Sequence, residues 1–311
     1  MSGYNTEEIQ LLKNCKLCPH SCGTNRFSNA NGYCKSNAGF NISSICVHKG
    51  EEPVISGKKG ICNIFFSHCN LQCIYCQNYT ISRNSELFSK KLSQFEVVIH
   101  TICDVLEQTE NIVGFVSPSH NIPQVMAIIR GLHQRGKHPV VVYNTNGYDK
   151  PSSLRMLEEY VDVYLPDFKY FDPGMAFEYS GVKDYPEIAA SALKEMYRQK
   201  GSTLLVNDDG IAEWGIIIRH LILPGASDQS ISVLKYIAEE ISPDFYISLM
   251  AQYYPISSID KYSVLNRTIT SDEYNKVLEA YHKFGFYRGW TQEMESNESF
   301  RPDFSFKDPF D

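Results

Sequence analysis

The sequence has no long apolar run. None of its hydrophobic stretches approaches the roughly 20 residues that a membrane-spanning helix needs. Residues 1–14 lack the basic and apolar regions of a secretory signal. These absences predict a cytoplasmic protein without a membrane partner. Hydrophobic residues make up 43% of the 311 residues and charged residues 21%, which is ample material for a globular core.

Positive charge is also scarce. The chain has 29 lysines and arginines against 36 aspartates and glutamates, a formal net charge of −7. Phosphate backbones are bound by basic faces, and the sequence has no basic appendage interleaved with aromatic residues. The composition argues against nucleic acid as a partner, although it is compatible with a local basic cleft.

Cysteine, by contrast, is abundant, with ten residues. A cytoplasmic protein keeps its cysteines reduced, so ligand roles are expected rather than disulfides. Cys69, Cys73 and Cys76 have the spacing C-x3-C-x2-C after an apolar strand, and Tyr75 directly precedes the last thiol. A [4Fe–4S] cluster takes four cysteine ligands, so three would leave one iron open, as chemistry at a metal requires. The alternative, a structural zinc site, more often shows paired C-x2-C elements.

From Ile61 onward, short apolar segments alternate with amphipathic ones. The apolar segments are rich in β-branched and aromatic residues, as strands buried on both faces are. The alternation predicts parallel strands joined by right-handed crossovers, in an α/β fold with an open, partial (β/α)6 barrel. The predicted strands are Cys62–Ser67, Ile112–Val116, Pro139–Tyr143, Val161–Leu165, Gly215–Leu223 and Phe245–Leu249.

Several helix ends are also visible. Ser93–Glu96 and Thr270–Glu273 each have the pattern of a capping box. A further helix is predicted to begin near Pro123 and to end by Gly136.

Three segments are expected along the chain. Residues 1–58 form a Cys-rich, metal-binding segment, and residues 59–290 form the partial barrel. Residues 291–311 contain two prolines and no clear periodicity, which predicts an irregular tail.

Polar or turn-forming residues accompany the end of nearly every predicted strand. Catalytic groups of parallel β/α barrels gather where the strands end, so the active site is expected on this face. The groups are the cysteine triplet, Ser117–Asn121, Asn144–Gly147, Pro166–Lys169, Arg219–His220 and Met250–Tyr254.

The triplet with its tyrosine, the segment GEEPVISGKKG at Gly50–Gly60, and the Gln252–Tyr253 pair resemble the radical S-adenosylmethionine (SAM) superfamily. Within it, the chain is similar to the pyruvate formate-lyase activating enzyme-like branch over about residues 14–293. The resemblance implies a [4Fe–4S] cluster on the three cysteines and SAM on its open iron. SAM would be cleaved to a 5′-deoxyadenosyl radical that abstracts hydrogen from a protein or peptide, for instance to install a glycyl radical. It also implies a flavodoxin- or ferredoxin-like electron donor.

The resemblance suggests roles for single residues. Tyr75 would lie near the adenine of SAM. Lys169 would pair with the methionyl carboxylate while Asp167 orients it, and a structural ion pair is the alternative. Either Arg219 or His220 would reach the pocket, because neighbours in a strand point to opposite faces. His220 is the preferred candidate, with a structural histidine as the alternative.

Two further groups of candidates come from strand ends. The superfamily usually has a glycine-rich stretch after the second strand, and this chain has Ser117, Ser119 and His120 there. A hydroxyl or imidazole could accept the hydrogen bond of the methionyl amino group. Asn144 and Asn146 would suit the ribose hydroxyls, because an amide both donates and accepts.

A second cysteine group precedes the barrel. Cys15, Cys18, Cys22 and Cys34 form C-x2-C-x3-C-x11-C among glycine and asparagine, which predicts a small metal-held segment. Structural zinc is favoured over an auxiliary iron–sulfur cluster, and His20 could replace one thiol. The other cysteines lie in apolar surroundings and are expected in the core: Cys46, Cys62 and Cys103.

Two other functions fit the cysteines. A radical SAM enzyme could act on a small metabolite or a ribosomal peptide. An electron-transfer protein without SAM chemistry would account for both cysteine groups, but not for the polar residues at the ends of the other strands.

Overall fold

The computed structural model describes residues 3–28, 31–84, 94–259, 263–298, 301–306 and 308–310. Strands in these residues form one sheet in the order β1-β2-β3-β4-β5-β7-β8-β9, and β6 pairs with β7. They are β1 Ile42–His48, β2 Ile61–Phe66, β3 Ile112–Val116, β4 Val140–Thr145, β5 Val163–Pro166, β6 Leu205–Val206, β7 Ala212–Leu221, β8 Tyr246–Met250 and β9 Gly289–Thr291.

Helices connect most of the strands. They are α1 Thr6–Lys13, α2 Pro53–Ser56, α3 Tyr79–Ser82, α4 Phe95–Leu106, α5 Ile122–His133, α6 Pro151–Met156, α7 Pro173–Ser180, α8 Tyr185–Lys200, α9 Ser227–Glu240 and α10 Ser271–Lys283. Short 3₁₀ turns lie at Ser257–Ile259, Ser263–Leu265 and Met294–Glu298.

The sheet is a partial barrel, as predicted. From β2 to β9 every neighbouring pair along the sheet is parallel, and β1 adds an antiparallel edge to β2. Within the described residues the two edge strands, β1 and β9, are not paired with each other, so the barrel is open. All six predicted strands are present, with ends within three residues of the prediction.

Three strands were missed. β1 lies in the Cys-rich segment and has two serines after its first residue, so it lacks the continuous apolar character of the other strands. β6 and β9 have only two and three residues, too few to show a period.

Alternate strand residues fall into two separate apolar clusters. One cluster, inside the barrel, contains Ile112, Val142, Val163 and Ile217. Their sequence neighbours face outward into a larger cluster with the helices. This alternation is the pleat of a strand, and it fixes which residues of each strand can reach the barrel interior.

The helix-end predictions can be compared directly. At α10, Thr270 Oγ1 accepts a hydrogen bond from Glu273 N at 3.2 Å, which confirms the capping box. The predicted box at Ser93–Glu96 includes residues outside those described. α5 begins one residue before Pro123, and Gly136 follows its end with φ +70°, as expected.

Both terminal segments lie against the barrel. Glu8 of α1 is fully buried and pairs with Arg130 of α5 at 2.5 Å. The ring of Phe304 contacts Phe65 of β2, with ring centroids 5.2 Å apart. The boundaries predicted at residues 58 and 290, between the Cys-rich segment, the barrel and the tail, stay predictions.

Candidate active site

The cysteine triplet lies in the loop after β2. His68 has φ +69°, a left-handed conformation that turns the chain directly before Cys69. Cys69 is buried, Cys73 and Cys76 are half-buried, and none of the three is joined in a disulfide. The thiols are therefore at the carboxyl end of a barrel strand, where parallel β/α barrels carry their chemistry.

Hydrogen-bond donors surround two of the sulfurs. Cys69 Sγ accepts from Asn146 Nδ2 at 3.3 Å and from the Leu71 backbone nitrogen at 3.4 Å. Ser82 Oγ donates to Cys76 Sγ at 3.3 Å. Donors of this kind stabilise negative charge on a ligating thiolate.

The third sulfur begins a chain of hydroxyl groups. Cys73 Sγ lies 3.0 Å from Ser180 Oγ, which lies 2.9 Å from Tyr170 OH. Tyr170 OH donates to Tyr75 OH at 2.5 Å. The phenol of Tyr75 is therefore engaged inside the protein, whereas its predicted contact with adenine stays untested.

Burial is the largest influence on the pKa values of Cys69 and Cys73. It raises the pKa of Cys69 to about 12 and that of Cys73 to about 11, with Lys169 acting in the opposite direction on Cys73. Thiols with these values stay protonated at neutral pH. A bound cation is what would release their protons, because metal ligands must be thiolates.

The two asparagines after β4 have different surroundings. Asn146 donates to Asn70 Oδ1 at 2.8 Å as well as to Cys69, and its own Oδ1 accepts from the Tyr148 backbone at 2.9 Å. Asn146 thus holds the cysteine loop. Asn144 instead lines the cavity of the barrel.

The segment after β3 is mostly turned into the protein. Ser117 has φ +48° and its backbone nitrogen donates to the Asn144 carbonyl at 2.7 Å. Ser119 Oγ lies 3.1 Å from Thr145 Oγ1. His120 Nε2 lies 3.2 Å from a backbone carbonyl just after β2, and burial lowers its pKa to about 3. Of the three predicted residues, only Ser117 is partly exposed.

Asp167 and Lys169 form an ion pair after β5. Lys169 Nζ lies 2.6 Å from Asp167 Oδ2, and both side chains keep some exposure, 16% and 22%. Burial lowers the Lys169 pKa, but Asp167 and the nearby Cys73 outweigh it, so the pKa is raised well above its usual value. Lys169 is therefore a permanent cation beside the cysteine loop.

Arg219, and not His220, lines the barrel cavity, while the preferred role of His220 toward SAM stays a prediction. Arg219 of β7 lines the barrel cavity, because it follows Ile217 on the inward face of the strand. His220 faces the other way, where its Nδ1 lies 2.7 Å from the Phe168 carbonyl. Burial lowers the His220 pKa to about 4, so the ring is neutral at pH 7.

A cavity of about 350 Å³ occupies the carboxyl end of the barrel. Gln77 and Asn78, directly after Cys76, form part of its wall, so it is continuous with the cysteine loop. Glu51 and Glu52 line it together with Arg219. The cavity touches both the cysteine loop and the inner strand residues.

The second cysteine group lies next to this site. Cys15, Cys18 and Cys34 are buried and Cys22 is exposed. Arg26 is buried among them and donates to Cys34 Sγ at 3.2 Å. Across the described ranges, no three Cys, His, Asp or Glu side chains converge closely enough to hold one metal ion. The sulfurs that hold an iron–sulfur cluster lie farther apart than those that hold a single ion. The lack of a convergent group in the described residues therefore counts against zinc more than against a cluster.

His20 does not point at the thiols. Its Nε2 lies 2.8 Å from the Asn70 carbonyl, and its ring stacks on Tyr33 at 3.6 Å between centroids. The predicted replacement of a thiol by His20 gains no support, and the residue instead joins the Cys-rich segment to the cysteine loop.

Some site residues were not found from the sequence. Ser180, Tyr170 and Tyr185 come from α7, its preceding loop and α8, and carry no motif. Tyr185 OH lies 2.9 Å from the Asn146 carbonyl and 3.0 Å from that of Asp167. Glu51 and Glu52 belong to the segment Gly50–Gly60 that carries the resemblance, and two adjacent acids before a buried strand are the signal that could have found them.

No family model matches the chain. An uncharacterized protein of Methanocaldococcus jannaschii is 29% identical over 281 residues, covering 88% of this chain and 76% of that protein.

Solved structures show weaker similarity. Streptococcus suis SuiB bound to S-adenosylmethionine is 12% identical with a TM-score of 0.48, covering 74% of this chain and 50% of that one. Native anSMEcpe with bound AdoMet is 16% identical with a TM-score of 0.49, covering 72% and 61%. A domain of a pyruvate-formate lyase-activating enzyme from Bacteroides vulgatus is 13% identical with a TM-score of 0.39, covering 55% and 93%. The chain thus spans about half the length of SuiB.

Among the described helices, none is both long enough and apolar enough to cross a membrane.

Proposed function

We propose that this protein is a radical SAM enzyme whose [4Fe–4S] cluster is held by Cys69, Cys73 and Cys76. The observation that carries the proposal is the cysteine loop itself. Three thiols follow one barrel strand, and each has a side-chain hydrogen-bonding partner at 3.0 to 3.3 Å, from Ser180, Ser82 or Asn146. When bound, the cluster and SAM supply one-electron cleavage of SAM to methionine and a 5′-deoxyadenosyl radical.

The chain's own residues would bind and orient SAM. The Lys169 ammonium, paired with Asp167 and near Cys73, would pair with the methionyl carboxylate. Asn144, in the cavity wall, is the better of the two asparagines for a ribose hydroxyl, because Asn146 uses its amide within the protein. Ser117 remains the candidate for the methionyl amino group. The barrel cavity would enclose the substrate and keep water from the radical.

Our finer proposal is a glycyl-radical-activase-like enzyme that acts on a protein or peptide in the cytoplasm, with a flavodoxin- or ferredoxin-like donor. The edge strands β1 and β9 are not paired in the described residues, which is compatible with a peptide loop as well as with a small molecule, and the C-terminal segment packs beside that edge through Phe304 and Phe310. A small metabolite or ribosomal peptide is the alternative substrate.

For the Cys15, Cys18, Cys22 and Cys34 group we propose zinc or a second cluster.

The test is anaerobic reconstitution with iron and sulfide, followed by SAM and dithionite. We expect 5′-deoxyadenosine, about four irons per chain at the triplet, and loss of the product in Cys73→Ala. Cys103→Ser, outside both cysteine groups, is the matched control and should keep the product. Product formation by Cys73→Ala would refute the proposal. A full cluster without product, in the presence of cell lysate as a source of substrate, would favour the electron-transfer protein.

A further inference from the structure

The barrel cavity carries an excess of negative charge. Among the residues that line it in the described part of the chain, Glu51, Glu52 and Arg219 are the charged ones. His48 also lines it, but burial lowers its pKa and leaves the ring neutral at pH 7. Two carboxylates therefore share one guanidinium, and all three side chains are at most 11% exposed.

The guanidinium is already engaged. Arg219 Nε and Nη2 donate to the two oxygens of Glu52 at 2.8 and 2.5 Å, and Nη2 also donates to Glu51. Asn63 Nδ2 donates to the other oxygen of Glu51 at 2.7 Å. The carboxylates of Glu51 and Glu52 would therefore repel an anionic ligand, and Arg219 is already paired with both of them. A cationic ligand would complete the charge balance.

A second observation points to a ligand. His48 is 93% buried, lines the cavity, and has no hydrogen-bond partner for Nδ1 among the described residues. Its Nε2 lies 3.9 Å from Glu51 Oε1, and its ring packs on Phe310 at 4.0 Å between centroids. A buried ring nitrogen without a partner costs free energy unless a ligand or water pairs with it. In neutral imidazole this nitrogen can accept a hydrogen bond.

The remaining walls suit an apolar stem. Phe65, Val116, Met250 and Trp290 line the same cavity. A ligand with its charge at Glu51 and Glu52 would therefore have apolar wall available for the rest of the molecule.

We propose that the cavity binds an ammonium or guanidinium group carried on an apolar stem, and that this group belongs to the substrate. That this group belongs to the substrate rests on the proposed function, whereas the binding of a cationic group in the cavity does not. Such a group could come from a free alkylamine or from a lysine or arginine side chain of a peptide.

The test is calorimetric titration of the reconstituted protein with SAM present. The probes are pentylamine against pentanol and pentanoate, and N-acetyl-lysine amide against N-acetyl-norleucine amide. We expect at least one cationic probe to bind more tightly than its neutral partner by a factor of about ten or more. Binding of pentylamine alone would indicate a small-molecule substrate, and binding of the lysine derivative alone a peptide. Equal binding of charged and neutral probes, or preference for pentanoate, would overturn the proposal.

Two variants sharpen the test. Glu52→Gln removes the excess charge and should weaken binding of the cationic probe about tenfold or more, whereas Glu239→Gln, on the exposed side of α9, should not. The double variant E51Q/E52Q leaves Arg219 without a carboxylate, and it should bind pentanoate instead. If these variants fail to fold, as judged by circular dichroism, the probe series on the unaltered protein still decides. Deoxyadenosine is assayed on the same samples, so product formation by unaltered protein that binds no cationic probe would refute this inference and leave the proposed function standing.

Discussion

Ser180 Oγ lies 3.0 Å from Cys73 Sγ, although the two residues are 107 positions apart in the sequence. Ser180 is the last residue of α7 and is fully buried. The same hydroxyl also lies 2.9 Å from Tyr170 OH. The cysteine loop is therefore supported by α7, the helix that follows β5 in the chain.

Replacing Ser180 with alanine should weaken the binding of the cluster at Cys73. Loss of a group that hydrogen-bonds a metal ligand typically costs about 10- to 100-fold in metal affinity. We expect faster loss of iron to a chelator and about tenfold less deoxyadenosine, with iron per chain and the product measured on one sample. Ser232→Ala, in α9, is the control. Unchanged chelator resistance in the Ser180 variant would contradict this role.

Removing the charge of Lys169 should weaken SAM binding. Lys169→Met abolishes the cation next to Cys73, and a partly buried charge pair with a carboxylate is worth about tenfold or more in affinity. Equilibrium dialysis with labelled SAM measures the effect, and the exposed Lys235→Met variant should match the unaltered protein. If both variants bind SAM equally well, Lys169 is part of a structural ion pair only.

Acid should destabilise the fold through His220. Its folded-state pKa is about 4 against an ordinary value of 6.5, because burial disfavours the charged ring. Above pH 6.5 neither state is protonated there. As pH falls from 6.5 to 4 the unfolded chain gains the proton and the folded one does not, so the free energy of unfolding drops by about 3 kcal/mol.

The variant His220→Gln should reduce that pH dependence by about one proton in urea unfolding curves taken between pH 6.5 and 4. His100→Gln, whose parent side chain is 77% exposed, should keep the original slope. An unchanged slope in the His220 variant would show that other groups cause the acid sensitivity.

Arg26 should be required by the Cys-rich segment. It is buried and donates to the His120 carbonyl at 2.7 Å as well as to Cys34 Sγ. Arg26→Met leaves both acceptors unsatisfied, at a cost of about 1 to 3 kcal/mol each, and removes a cation that favours thiolates. We expect lower thermal stability and less zinc or iron per chain by elemental analysis. The control is the exposed Arg155→Met, and retention of full metal content in the Arg26 variant would disprove its role.

The barrel was predictable because its strands are buried on both faces. Segments such as Ile112–Val116 are apolar throughout, and that signal does not depend on partners elsewhere. The short strands β6 and β9 gave no such signal, because their pairing depends on β7 and β8 rather than on their own residues.

The residues of the site were only partly predictable. The spacing of Cys69, Cys73 and Cys76 placed the thiols in one loop, since a few residues cannot carry them far apart. Which of Arg219 and His220 faces the cavity was decided by the register of β7, and a shift of one residue would have exchanged them.

The sequence by itself determined the partial barrel and the cysteine loop at its carboxyl end, because these follow from apolar periodicity and local spacing. Only the tertiary structure decided that Ser180 supports Cys73, that Asn146 supports Cys69, and that Glu51 and Glu52 share Arg219. Those contacts join residues 77 to 168 positions apart. Their partners are fixed by strand register and helix packing, which no local pattern encodes.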